Sequence, residues 1–342
     1  MKTFITFKEY PELVQTFVNE QDISETTRKV YSRGVKYFFN WLWFKYPNQK
    51  GVFAPKIGDC VQYKAELIEK DYSPHTVESY ITSLQKFFKW TAESDIYKNI
   101  AATIKHTKRP KGFAKIPLTA DQVRTLYNSI SGKSIIDLRD ICIIRLMVEN
   151  GLRAIEISRL SIQDFKETDN SILIHSKGAK KPQDISFITE KTKAALIKYL
   201  KKTNSYFNEV SPVKRKSYKK EQKLLNLITE KPARLKLSDR EPMFKTMHRA
   251  RKQANRLSPT DVSIITARRL QAAGLKSEGI SGHSLRHTTA ALLVRDKKDM
   301  LLIKSHMRHK SYAVTEIYTA YIEKELAKQQ KTAETIQNII DT

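Results

Sequence analysis

Three short stretches of this chain place side chains where they could act on an anion. GLRAIEISRL sets Arg153 just beyond a glycine turn, with Glu156 three residues on. A guanidinium at the start of a helix, oriented by a neighbouring carboxylate, can grip a phosphate through two parallel hydrogen bonds. A plain surface ion pair would use the same two residues, so this stretch alone decides nothing. HSLRH puts His283, Arg286 and His287 at i, i+3 and i+4, on one face of a helix. Two imidazoles and a guanidinium on one face bring hydrogen-bond donors and a proton carrier to a single anionic group. The spacing supplies no third metal ligand, and the intervening arginine would repel a cation. Leu285, Ala290, Ala291 and Leu292 mark the element as partly buried. Downstream, HKSYAVTEIYTAY sets His309 nine residues before Tyr318, with Tyr321 three further on. Tyrosines on helices are commonly amphipathic core or rim residues, and that reading is open for both.

The elements that must carry these residues are mostly helical. Ser24 can cap a helix in which Val30, Gly34, Phe38, Trp41 and Leu42 recur at helical spacing. A second helix spans roughly 57–70. Ser73-Pro74 then opens a third, whose stripe is Val77, Ile81, Leu84 and Phe88 and whose other face carries Lys86 and Lys89. HTKRPKGFAK is basic, aperiodic and broken by proline and glycine, which is a linker signature. Beyond it, Thr119 and Gln122 form a capping box, and a largely apolar helix over 137–150 ends at Gly151. The clear β signal is SILIH and DISFI at 171–175 and 184–188, joined by the turn-rich loop SKGAKKPQ as a hairpin. Thr189 caps the next helix. From 201 to 236 the chain holds eleven Lys/Arg against three acids, which reads as a basic insertion. Helical periodicity resumes near Met243 and runs on through the tail, and no internal repeat is found.

Bulk composition narrows the partner. At 342 residues, two domains are the natural division. With 62 Lys+Arg against 36 Asp+Glu the net charge is +26, a self-repulsion that a polyanion would relieve. Nucleic acid leads, because binding phosphates releases condensed counterions; a ribosomal or membrane surface is the other fit. Cys60 and Cys142 have no ligand spacing and read as small buried residues. MKTFITFKEYPEL lacks the apolar core of a signal peptide, and no run approaches the roughly 18–20 apolar residues of a membrane span, so a cytoplasmic protein is expected.

Taken in order, GLRAIE, SKGAKK between two strands, HSLRH and the His309-to-Tyr318 spacing strongly resemble the tyrosine recombinase (phage integrase) family, in its Xer-like and mobile-element branches. The resemblance covers about 117–330, and the helical N-terminal part looks like that family's core-binding domain. It implies a mainly α fold with a small antiparallel β-sheet (α+β), arranged as a two-domain C-shaped clamp. The implied divisions are a helical SAM-like DNA-binding domain over 1–104, a basic linker over 105–116 and a catalytic domain over 117–342. The last includes a basic insertion at 201–240 and a C-terminal helix at 322–342, which could dock in cis or on a neighbouring protomer.

The implied activity is site-specific recombination, in which DNA strands are cut and rejoined through a 3′-phosphotyrosine with no cofactor and no metal. By resemblance Arg153 is the first catalytic arginine and Glu156 its supporting acid. Lys177 is the catalytic lysine, His283 and Arg286 the H-x-x-R pair with His287 beside them, His309 the second histidine and Tyr318 the nucleophile. Arg308 departs from the family, which usually has glycine there. The chemistry is coherent: cations stabilise the charge that grows on the non-bridging oxygens, in place of metal ions. His283 or His309 would accept the phenol proton, and Lys177 would protonate the leaving 5′-oxygen. DNA contacts are expected from Lys86, Lys89, Lys108, Arg109, Lys111, Lys180, Lys181, Lys214, Arg215 and Lys216. Double-stranded DNA carrying a recombination site is the implied partner, bound by a homo-tetramer with accessory DNA-bending proteins. The alternatives are relaxation of DNA by a type IB topoisomerase-like enzyme and a non-catalytic DNA-binding protein. Retention of all six polar positions argues against the second.

Overall fold

Local signals set most helix starts in the computed structural model, which describes residues 2, 4–49, 51–106, 115–175, 184–210, 240–246, 255–309 and 311–329. The chain divides into two compact units, Met1–Lys111 and Gly112–Thr342. In the first, α1 (Tyr10–Glu20), α2 (Glu25–Lys45), α3 (Ile57–Glu69) and α4 (Pro74–Glu93) enclose an aromatic core. Ser24 and Ser73 cap α2 and α4 by accepting from the Thr27 and Thr76 amides. Phe38, Phe39, Phe87 and Phe88 are fully buried where α2 meets α4. Gly34 permits that approach, because a Cβ there would lie 2.6 Å from Ser83 Cβ. Val30, expected on the apolar stripe, is 36% exposed. Strands β1 (Ile5–Thr6) and β2 (Val52–Phe53) pair antiparallel.

The second unit opens with α5 (Ala120–Asn128), started by the Thr119/Gln122 capping box, and α6 (Ile135–Glu149). Helix α6 begins two residues before the expected start because Ser134 caps it by accepting from the Asp137 amide. Gly151, at φ +61, turns the chain into α7 (Ala154–Arg159). Its Cβ position lies 2.8 Å from Met307 Sδ, so both the backbone conformation and the space call for glycine. The hairpin forms as expected, with β4 (Ser171–Ile174) between β3 (Phe165–Lys166) and β5 (Asp184–Phe187), and Leu173 opposite Ile185. Where β4 runs toward the joining loop, the buried side chains of Asp164, His175 and Arg240 interlock, Arg240 Nη2 donating to Asp164 Oδ1 at 2.7 Å. The joining loop, 176–183, is outside the described residues.

Helix α8 (Glu190–Val210) takes in the first ten residues of the expected insertion, whose part from 211 to 239 is outside the described residues. Then follow α9 (Pro259–Ala272), α10 (Gly282–Arg295), α11 (Met300–Met307) and α12 (Ala313–Gln329). Of the tail helix expected at 322–342, the part to Gln329 continues the helix that carries Tyr318, and 330–342 lie outside the described residues. Leu146, Ile157, Leu196 and Leu285 lie in the shared core that seats α6, α7, α8 and α10. No helix among the described residues is long and apolar enough to cross a membrane.

Candidate active site

The second unit brings Arg153, Glu156, His283, Arg286, His287, His309 and Tyr318 together, from α7, α10, the turn after α11, and α12. Arg153 is the N-cap residue of α7. Its backbone amide donates to Glu156 Oε2 at 2.9 Å and its Nη1 to Oε1 at 2.6 Å, so one carboxylate fixes both the turn and the guanidinium. The Glu156 side chain is 0% exposed against 34% for Arg153, which leaves the cation's outer edge open. Burial pushes the Glu156 carboxyl up, but Arg308 and Arg153 outweigh it and hold it below its ordinary value.

Arg286 is 2% exposed on α10 and donates to the carbonyls of Gly151 and Met307. Those bonds tie it to the α6–α7 turn and to the end of α11. Burial and then Arg153 lower its pKa to about 9, so it stays charged at neutral pH. His283 stands exposed at the rim, its ring edge-on to His287 at 4.6 Å. Although part of the ring meets solvent, its partial loss of hydration, with Arg286, Arg153 and Lys115 adding to it, holds its pKa below the ordinary value.

Tyr318 packs among Ala290, Ile303 and Met307 and is 3% exposed. Its hydroxyl lies 2.7 Å from His287 Nδ1, an acceptor when the imidazole proton is on Nε2. The expected proton acceptors were His283 or His309, and the structure instead sets His287 against the phenol. One helical turn separates His283 from His287, and only the inner of the two reaches α12. His309 lies parallel to the Tyr318 ring at 5.9 Å and is held by Thr315 Oγ1, 3.0 Å from its Nδ1. Burial raises the Tyr318 pKa to about 12, with Arg286 and Arg153 pulling against it. Tyr321 belongs elsewhere, lining a separate small cavity with Leu118, Ile280 and Leu292.

Burial, then neighbouring positive charge, lowers His287 to about 3 and His309 to about 4 from 6.5. Between those values and 6.5 the unfolded chain binds more protons than the folded one, so stability falls as pH falls through this window. The unfolding free energy measured by urea denaturation is therefore expected to drop between pH 7.5 and pH 5, by at most about 1.4 kcal/mol per pH unit for each imidazole. His287→Gln should flatten that dependence, and a free energy that ignores pH would contradict the neutral-imidazole arrangement.

Sequence reasoning noticed Arg308 only as a departure, yet its guanidinium is buried here. It occupies the left-handed C-cap of α11 at φ 52, the conformation in which glycine is favoured. Nη1 donates to His306 O, Nη2 to Asn150 O and Gly151 O, and Glu156 Oε2 is 3.5 Å away. Lys86 and Lys89 are exposed on α4 in the first unit, Lys89 with Glu93 3.5 Å away. Lys108, Arg109, Lys111, Lys177, Lys180, Lys181, Lys214, Arg215 and Lys216 lie outside the described residues.

Cationic side chains thus converge on one enclosed phenol, an arrangement suited to holding an anion beside an oxygen nucleophile. Residues 117–325 match the phage integrase family, and residues 12–98 match the phage integrase N-terminal SAM-like domain. The chain belongs to the phage integrase family. It is 26% identical over 299 residues, 86% of each chain, to the tyrosine recombinase XerC of Thermodesulfovibrio yellowstonii. It is 23% identical to the tyrosine recombinase XerA of Pyrococcus horikoshii, over 95% of this chain and 93% of that one. In fold it is similar to a XerH site-specific recombinase solved on its palindromic difH substrate after cleavage, with a TM-score of 0.65, 18% identity, and 94% and 84% of the two chains covered. It is also similar to a lambda integrase dimer solved on a COC′ core site, with a TM-score of 0.58, 17% identity, and 92% and 95% covered.

Proposed function

We propose that the chain is a site-specific DNA recombinase that cuts and rejoins strands through a covalent phosphotyrosine at Tyr318. The observation that carries this reading is the Tyr318 hydroxyl, 2.7 Å from His287 Nδ1 and within the field of Arg286 and Arg153. Arg153, Arg286, His283 and His309 hold the non-bridging oxygens of the scissile phosphate, where negative charge develops. Tyr318 Oη attacks phosphorus, its proton passing to His287, while the bond to the 5′-oxygen breaks and Lys177 protonates that oxygen. The chain is left joined to the 3′-phosphate, and attack by another strand's 5′-hydroxyl reverses the step without an external energy source.

Burial raises the pKa of the phenol and lowers that of His287, which opposes proton transfer between them. A phosphodiester between the arginines offsets the positive charge that helps depress the imidazoles, and so raises their basicity. The basic surface binds double-stranded DNA; a homo-tetramer on two duplexes, assisted by DNA-bending proteins in the cytoplasm, completes the reading. Lys86 and Lys89 on α4 contribute contacts to the phosphate backbone, as do the basic residues at 108–111, 180–181 and 214–216.

The test uses nicked duplexes taken from DNA flanking the chain's own gene. An SDS-resistant protein–DNA adduct is expected, followed by exchange between two labelled duplexes. Adduct formation with plasmid relaxation but no exchange would favour a topoisomerase, and no adduct on any site would sink the reading.

A further inference from the structure

Glu156 has two guanidiniums on it, not one. Arg153 takes Oε1 from the site side, and Arg308 approaches Oε2 from behind at 3.5 Å. Arg308 is the better enclosed of the two, with its side chain 8% exposed against 34% for Arg153. Both its Nη atoms already donate to protein acceptors, in the α6–α7 turn and at His306. With four protein acceptors around its two Nη atoms, one of them the Glu156 carboxylate, against a single carbonyl on each Nη of Arg286, Arg308 has less to offer a substrate and more hold over the residues around it. It also shares an acceptor with Arg286, since both donate to the carbonyl of Gly151. Arg308 therefore links the turn that presents His309, the carboxylate that orients Arg153 and the carbonyl that anchors Arg286.

We infer that Arg308 is a positioning residue, which keeps Glu156 ionised and aimed so that Arg153 and Arg286 meet the phosphate in register. The inference rests on the recombinase reading for its kinetic consequence but not for its electrostatic one. A fully buried carboxylate survives only when paired, and a single Arg153, open to solvent at its outer edge, is a weak guarantor. The charges facing Glu156 are Arg153 from α7, Arg286 from α10 and Arg308 after α11, while Asp184 at the start of β5 faces Arg308 from the other side. Removing Arg308 takes away one of the two guanidiniums that hold the carboxylate ionised and leaves the burial that opposes it.

Arg308→Gly isolates this role, because glycine adopts the left-handed backbone at φ 52 without strain. Three readouts follow. The single-turnover rate of adduct formation on a nicked duplex is expected to fall by roughly 10- to 100-fold, the scale of a small misplacement of catalytic groups. DNA affinity should stay within about 2-fold, since a buried guanidinium adds little to the phosphate-contacting surface. The Glu156 carboxyl, followed by carbon-13 NMR, should titrate higher in the variant than in the wild type, giving its rate a new loss toward acid pH. An unchanged Glu156 titration overturns the inference whether or not the protein forms an adduct. A wild-type chain that forms no adduct, with the titration shifted as expected, fails the recombinase reading and leaves the positioning role standing.

Discussion

Tyr318→Phe is expected to abolish the covalent protein–DNA adduct while leaving DNA binding unchanged. The substitution removes one oxygen from a ring that is 3% exposed and packed among Ala290, Ile303 and Met307, so the packing survives. The loss to stability is one hydrogen bond, the 2.7 Å contact with His287, about 1 kcal/mol. The loss to chemistry is the nucleophile itself, and no neighbour can stand in for it. Tyr321 lies on the same helix but faces the cavity lined by Leu118 and Ile280. Gel mobility shift should therefore match wild type while the SDS-resistant band disappears. If Tyr321→Phe removed the band instead, the nucleophile would be misplaced by one helical turn.

Arg286→Ala should give the second largest effect, a fall of about 100- to 1000-fold in adduct formation, or about 3–4 kcal/mol of transition-state stabilisation. Two carbonyls from separate segments, Gly151 and Met307, hold its fork in place. Arg286→Lys should recover little, because a single ammonium cannot span both carbonyls and still face the phosphate. Single-turnover kinetics on a nicked site would measure both variants. A lysine variant with near wild-type rate would show that charge alone suffices.

Much of the fold was legible because its signals are local. Ser24, Ser73 and Thr119 cap helices within three residues of themselves, and the hairpin alternates at the period of a strand. Where polarity hid the pattern, the reading stopped early: α8 runs to Val210 through a stretch rich in lysine that resembled an insertion. In the site, residue types and order singled out side chains that the fold brings together, since Arg153 with Glu156 and His283 with Arg286 are each one helical turn apart. Which imidazole meets the phenol was not legible. His287 and Tyr318 are 31 residues apart, and their contact depends on how α10 is rotated against α12. Nor could sequence show that Arg308 reaches Glu156 across 152 residues, because that bond exists only once α11 has docked beside the α6–α7 turn.

Under the proposed chemistry, the enclosure of Tyr318 bears on the fate of the phosphotyrosine bond. A phosphate ester made on a ring that is 3% exposed sits where bulk water has little entry. On the proposed reading, hydrolysis, which would leave a broken strand and a spent enzyme, is thereby slowed relative to capture by a hydroxyl delivered on a DNA end. The lifetime of the linkage then depends on when that end arrives, so the same burial that quiets the free protein safeguards the break it makes.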